Sequence, residues 1–525
     1  MRIKALFSTK SIEALKESAE APAHSLRRTL GTSDLTLFGI GAILGAGILS
    51  TLGTAAAGSV ADGRLPAGPA LVISILLVTL GCCFTALAYA ELASMIPVAG
   101  TAYTYAYATM GELMAWIIGW DLLLEYAVSN VAVAISWGDY ARSLLANVFS
   151  LHLPAWLTMD PRKAMRLAED VPAMALQEKL GALAQARAGL LDGGATFQHW
   201  EVLKDAPILG GFPLTFNILP MVITILVTWL VYLGIKESSR VNAVMVVAKV
   251  ALLAVVIGIG IRCVDPGNWV PFAPHGFQGI QAGAAIIFFA FIGFDAVGTT
   301  AEECRDPGRD LPRGILLSLA ICSVLYVAVA LVTTGMMKYS DLAGKADPLA
   351  YIFVHHEYFG LAGVISLGAV VATTTALLVY QIGQPRIFMA MSRDGLLGRW
   401  FGKVSPRHGT PSNATFLTGG LVAAPAALLN IDEAIELTNI GTLFAFSMVC
   451  AAVMILRLRR PELPRQFRMP WVWVLAPAGI LSCVWVAWGL PPLTWIRFIA
   501  WLLLGLVVYF LYGHRNSLLR DGKAA

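Results

Sequence analysis

Phe38-Gly39-Ile40-Gly41-Ala42-Ile43-Leu44-Gly45-Ala46-Gly47-Ile48-Leu49 lies in the middle of the first strongly apolar run of the chain, and its glycines decide how that run is read. Glycine costs a helix stability and tolerates almost any backbone angle, so Gly41, Gly45 and Gly47 mark a place where a membrane helix can unwind. Unwinding frees backbone N–H and C=O groups, which cost several kcal/mol each in hydrocarbon unless they line a cavity or meet a ligand. Two readings follow: a binding site made of backbone, or a glycine seam for close helix packing.

Outward from this stretch the composition is that of a membrane protein. Of the 525 residues 57% are hydrophobic and 13% charged, outside the range of soluble domains. Apolar runs near the ~20 residues of a spanning helix recur to the end of the chain, without the alternation of a membrane barrel. The expected fold class is therefore all-α and polytopic. The net charge of +4 is modest, and its Lys and Arg sit in short clusters between apolar runs, where they report orientation and not nucleic-acid binding. The seven cysteines fall mostly in apolar segments and read as small hydrophobes. Residues 1–34 are polar and basic, with no cleavable signal pattern, so the N-terminus is expected in the cytoplasm.

Spans are expected at about 35–58, 69–94, 101–149, 214–234, 240–262, 278–303, 313–337, 355–384, 412–430, 433–457, 471–490 and 493–513. The segment 101–149 is long enough for one tilted crossing or for two, and the basic residues decide between them. With one crossing, the N-terminal side carries 24 Lys and Arg and the opposite short loops only Arg64, Arg262, Lys338 and Lys345. Two crossings reverse that bias, so the positive-inside rule selects one. Twelve spans with both termini cytoplasmic follow, in the cell or inner membrane.

Residues 150–213 form a polar insertion, external in this topology, with an amphipathic helix expected from about 173 to 191. It is too long for a connector, and reads as a cap or a surface for a small membrane or external partner. A second glycine break, Ala290-Phe291-Ile292-Gly293-Phe294-Asp295-Ala296-Val297-Gly298, falls in span 6, five spans after the first. Five is odd, so a second five-span unit sits inverted relative to the first. Paired interrupted spans in two inverted halves point to a transporter's central site.

These residues resemble the amino acid–polyamine–organocation superfamily, and within it the cationic amino acid transporter branch. Besides the first stretch, the resemblance rests on Ala88-Tyr89-Ala90-Glu91-Leu92, Gly100-Thr101-Ala102-Tyr103-Thr104-Tyr105 and Gly119-Trp120-Asp121-Leu122-Leu123-Leu124-Glu125-Tyr126. Ser239-Arg240-Val241-Asn242-Ala243-Val244-Met245 and Phe288-Phe289-Ala290-Phe291-Ile292-Gly293-Phe294-Asp295-Ala296 extend it. The resemblance implies a five-plus-five inverted-repeat, LeuT-like fold that moves amino acids by alternating access. Its units are a tail (1–33), a first repeat (34–262) holding the insertion, a second repeat (263–457), spans 11 and 12 (458–513) and a second tail (514–525).

An amino acid offers a carboxylate and an ammonium, and the two ends of an unwound helix offer their partners. N–H groups near Gly45, Ala46 and Gly47 suit the carboxylate; carbonyls of Ile43, Phe289, Ala290 and Ile292 suit the ammonium. The resemblance places backbone contacts at these positions. Phe289 and Phe291 are candidate lids on the substrate side chain, with plain packing as the other reading. Lys249 sits nine residues after Arg240, roughly 13 Å along its helix at ~1.5 Å per residue, too deep to reach water easily. A buried ammonium must find carbonyl or carboxylate partners or shed its proton. The resemblance implies a proton-coupling lysine here, touching span 1 carbonyls and span 8 hydroxyls from Thr373, Thr374 or Thr375. The other reading is a static cation pinning span 1 to span 8.

Asp121 and Glu125 share one helix face, and two membrane carboxylates on one face rarely point at lipid. Glu125 is a candidate partner for Lys249 or a cationic substrate, and Asp295, at the span 6 break, for a basic side chain; interhelical hydrogen bonds are the alternative. Glu302 and Glu303, with Arg305, Asp306, Arg309 and Asp310, read as an ion-pair gate or a solvated helix end. Asn439-Ile440-Gly441-Thr442 makes span 10 a further candidate gate. No nucleophile–base pair or metal cluster appears; His355-His356-Glu357 comes nearest, and adjacent histidines point apart. An enzyme, a resident metal and an organic cofactor are therefore not expected, and the proton is the expected coupling ion. The expected substrate is a cationic or broad range of amino acids, with small neutral amino acids or exchange next.

Overall fold

In the computed structural model the first apolar run forms two helices, α1 (Thr32–Ile43) and α2 (Ala46–Ala57), bent by 41° at Leu44–Gly45. The structure describes residues 6–13, 15, 30–59, 63–98, 100–161, 183–189, 204–209, 212–233, 238–345, 347–405 and 410–519. The break falls where the glycines predict it. Gly47 is required by closeness: a Cβ there would lie 2.3 Å from the Cα of Ala290 in span 6.

α3 (Leu71–Met95) is the second span. The segment from 101 to 149 forms two helices: α4 (Thr101–Thr109) ends before Gly111, whose φ of +100° suits glycine alone, and α5 (Glu112–Phe149) then runs for 38 residues. α6 (Ile218–Leu233) and α7 (Ser238–Gly260) follow. Span 6 begins as α8 (Gly276–Ile287) and tightens to a 3₁₀ turn over Phe288–Phe291. Ile292 is then extended and Gly293 takes φ +122°, after which a second 3₁₀ stretch covers Phe294–Glu303. A 3₁₀ run of that length is uncommon and marks local departure from helical bonding.

α9 (Pro307–Met336) starts earlier than the expected 313, because Pro307 sits in the first turn, where its missing N–H costs nothing. A short helix, α10 (Pro348–His355), precedes α11 (Phe359–Arg393), so the eighth span starts later and ends later than expected. α12 (Ser412–Leu428), α13 (Ile431–Arg459), α14 (Val472–Trp488) and α15 (Pro492–Val508) complete the chain. Among the described residues, eight helices are long and apolar enough to cross a membrane, nine with the bent α1–α2 pair; α6 and α14 are shorter apolar helices.

Within the insertion, the described residues include a 3₁₀ turn at Ala155–Leu157 and a two-residue antiparallel pair, β1 (Ile208–Leu209) with β2 (Phe212–Pro213). The pair is a small exception to the all-α reading. Most of the expected 173–191 helix lies outside the described residues.

α11 packs along α5, and α9 along α1 and α3, while α13 lies between α5 and α14. Charges at the helix ends join distant segments. Glu91, 1% exposed, accepts from Arg457 at 2.9 Å, from Arg465 at 3.1 Å and from the Met469 N–H at 2.8 Å. At the other end Arg64 pairs with Glu436 and with Asp432 at 3.6 Å, and Glu436 also accepts from Thr494 at 2.7 Å.

Candidate functional site

The two interrupted spans meet face to face. Gly47 lies against Ala290, Gly293 against the Ala42 backbone, and one side chain from α9 ties the breaks together. The Tyr326 hydroxyl bonds the carbonyl of Ile43 at 2.8 Å and that of Ala290 at 2.9 Å. A hydroxyl carries one proton, so the two carbonyls share it. Tyr326 lies in an apolar run that gave no cue to it.

The other expected backbone contacts differ in how free they are. The Gly45 N–H already donates to Ile43 O at 2.7 Å, and Phe289 O accepts from the Ile292 N–H at 3.3 Å. Ala46 and Gly47 open α2, in the first turn, where N–H groups have no partner within the helix. Phe291 is buried edge-on against Tyr326 at 5.3 Å between ring centres, a packed position; Phe289 is 5% exposed.

Lys249 is 3% exposed, and its Nζ donates to Gly41 O at 3.2 Å. Gly41 belongs to the last turn of α1, where carbonyls lack helical partners and the dipole favours a cation. The contacts to span 8 hydroxyls differ from expectation. Thr374 donates to Val370 O at 2.7 Å and accepts from Trp137 Nε1 at 2.9 Å, and Thr375 donates to Ala372 O at 2.7 Å. Each hydroxyl bonds back to its own helix, as mid-helix threonines do, and among the described residues none bonds Lys249. Nor do Lys249 and Glu125 form an ion pair.

Glu125 looks elsewhere. It lies beside Thr442 of α13 and within electrostatic reach of Asp295. Asp295 turns one oxygen to the Gly293 N–H at 3.2 Å, capping the second half of span 6. Tyr89, Tyr126 and Tyr380 stand within reach of both acids, and Tyr105 within reach of Asp295. Asp121, Glu125 and Asp295 are at most 3% exposed, and among the described residues no Lys or Arg pairs with any of them. The hydroxyls of Tyr105 and Tyr126 are buried without partners in the same set. What the sequence reading missed is this tyrosine wall, whose members come from four separate segments.

Of the expected gate residues, Asp310 accepts from the Thr32 hydroxyl at 2.5 Å and the Arg305 N–H donates to Leu30 O at 3.0 Å. The side chains of Glu302 and Glu303 lie outside the described residues. A contact not foreseen joins the N-terminal segment to span 8: Lys10 meets Asp394 at 3.1 Å, and Tyr103 donates to the same carboxylate at 2.5 Å. His356 Nε2 lies 3.0 Å from Met336 O, and among the described residues no three His, Cys, Asp or Glu side chains gather as metal ligands.

A multi-pass helical protein with a span unwound beside buried acidic side chains and helix-opening N–H groups has the make-up of a membrane carrier. The chain belongs to the amino acid permease family, which matches residues 30–517. It is 42% identical to a branched-chain amino acid permease, BcaP, of Bacillus subtilis over 98% of this chain and 99% of that one. It is 41% identical to a methylthioribose transporter of the same organism, over 98% and 100%. A chloroplastic cationic amino acid transporter of Arabidopsis thaliana is 35% identical over 87% and 71%. The family and these relatives make the chain a transporter and not an enzyme.

Proposed function

We propose that the chain is a secondary active transporter of amino acids in the cell membrane, working by alternating access and driven by the proton gradient. In this reading it has twelve spans in two inverted five-span repeats, with both termini cytoplasmic. The observation that carries it is the apposition of the two unwound spans, Gly47 against Ala290 with Tyr326 bridging the carbonyls of Ile43 and Ala290.

The substrate carboxylate takes the N–H groups that open α2, at Ala46 and Gly47 with Gly45 behind them. Its ammonium replaces the Tyr326 hydroxyl on the carbonyls of Ile43 and Ala290, with Phe289 and Ile292 completing the rim. The side chain then points toward Phe289, Glu125, Asp295 and the tyrosine wall. Glu125 and Asp295, two buried acids with no basic partner among the described residues, favour a cationic or mixed range of substrates, since burying a carboxylate unpaired costs several kcal/mol.

Lys249 couples the proton. When charged it holds the end of α1 through Gly41 O; when neutral it releases that end. Thr374 and Thr375 keep acceptor lone pairs that an approaching ammonium can use once α1 has moved.

A second reading, branched-chain or other neutral substrates, is favoured by the name of the 42% identical relative and by the buried Phe289 ring at the span 6 break. A thermal-shift screen of the twenty amino acids, followed by uptake into proteoliposomes with an imposed pH gradient, separates the readings. Stabilisation and accumulation of arginine or lysine support the first; response to leucine, isoleucine and valine alone supports the second. Uptake indifferent to the gradient rejects proton coupling.

A further inference from the structure

We propose that Asp121 is a second proton-carrying carboxylate of this transporter, one helical turn before Glu125, and that α13 controls its access to water through the turn at Gly441. This rests on the proton-coupled reading above. Asp121 is fully buried, and neither of its oxygens has a hydrogen-bond donor among the described residues. A carboxylate kept for structure is hydrogen-bonded when buried, and this one is not. A passing cation or a bound proton is what such a group is fit to receive, because an ionised carboxylate without a partner is too costly to bury.

The surroundings favour the proton. Among the described residues, the charged or titratable group acting on Asp121 is Glu125 on its own helix, which in turn feels Asp295 from span 6. α11 presents an amide to this stretch of α5, Gln384 Nε2 reaching Leu123 O at 3.0 Å. α13 presents no charge: a Cβ at Gly441 would lie 2.8 Å from Asp121 Oδ1 and 3.8 Å from Glu125 Cβ. The bare glycine backbone therefore lies directly on the carboxylate. With α13 seated, Asp121 holds its proton dry; when the Gly441 turn lifts away, water reaches the carboxylate and the proton leaves.

The test is made on the full-length protein in proteoliposomes, with wild type and Asp121→Asn compared in two assays. The amide variant is expected to lose at least tenfold in pH-gradient-driven accumulation and to show a flattened pH profile, for neutral and cationic amino acids alike. Counterflow exchange without a gradient should stay within about twofold. Wild-type accumulation and pH profile in the variant overturn the proposal, as does a loss confined to cationic substrates, which assigns Asp121 to the substrate's side chain instead. A wild type that ignores the gradient overturns the proton-coupled reading itself, and this proposal with it. If Asp121→Asn also loses exchange, Asp121→Glu decides: a displaced pH midpoint supports the proposal. An unchanged midpoint, or loss of exchange in both variants, leaves a purely structural carboxylate and overturns it.

Discussion

The hydroxyl of Tyr326 bonds the carbonyl of Ile43 at 2.8 Å, at the residue where α1 stops being helical. In the proposed mechanism that is where the substrate's ammonium belongs, so side chain and substrate compete for the same acceptor. Tyr326→Phe removes the competitor while keeping the ring against Phe291. Amino acid affinity should then rise roughly twofold to tenfold, the worth of one net hydrogen bond at about 0.5–1.5 kcal/mol. Calorimetric titration checks it; unchanged or weaker binding shows that the hydroxyl supports the site instead of filling it.

Lys249 touches α1 through one carbonyl, Gly41 O at 3.2 Å. Lys249→Ala should abolish pH-gradient-driven uptake and leave exchange within a few-fold of wild type. Uptake against pH, measured for both proteins, is the check. An alanine variant with unchanged pH dependence removes the coupling role.

Close approach, more than backbone freedom, makes Gly47 necessary. A methyl there would sit 2.3 Å from Ala290 Cα, and no rotamer change relieves a clash with backbone. Gly47→Ala should cost at least about 1–3 kcal/mol and abolish counterflow. Gly420 of α12 has nothing within 4 Å, so Gly420→Ala is the control and should be neutral or slightly stabilising. Thermal unfolding of the two purified variants tests the contrast.

How much of this was legible in the sequence depends on which physics placed each residue. The breaks at Gly45 and Gly293 were readable because backbone conformation is local. So was the cost of Lys249, Glu125 and Asp295 in a membrane, which a single residue announces by itself. The orientation of Thr373-Thr374-Thr375 was not, because consecutive residues on a helix point about 100° apart and only packing decides where each hydroxyl turns, here back to its own helix and not to Lys249. Tyr326 and the tyrosine wall gave no signal, since an aromatic in an apolar span looks the same whether it faces lipid, core or ligand. Arg64 with Glu436, and Lys10 with Asp394, join residues hundreds of positions apart, and only the fold brings them together.

Asp347, between α9 and α11, gives a pH dependence of stability outside the spans. Burial raises its pKa above 3.8, with Ser143, Arg142 and Lys345 pulling it back in part. A raised carboxyl pKa means the folded protein prefers the protonated form. The penalty is absent below 3.8 and fully present above the raised value. Asp347→Asn should therefore raise Tm at neutral pH, with the gain shrinking as pH falls toward 3.8. A lower Tm at neutral pH would mean that the hydrogen bond with Ser143 outweighs the burial of the charge.

The central claim is that two unwound spans grip an amino acid by its backbone. A cryo-electron-microscopy structure with a transported amino acid bound measures it most directly. The account predicts the carboxylate against the N–H groups of Ala46 and Gly47, and the ammonium on the carbonyls of Ile43 and Ala290 with the Tyr326 hydroxyl displaced. Substrate density away from both breaks, with Tyr326 still bridging Ile43 and Ala290, would contradict it.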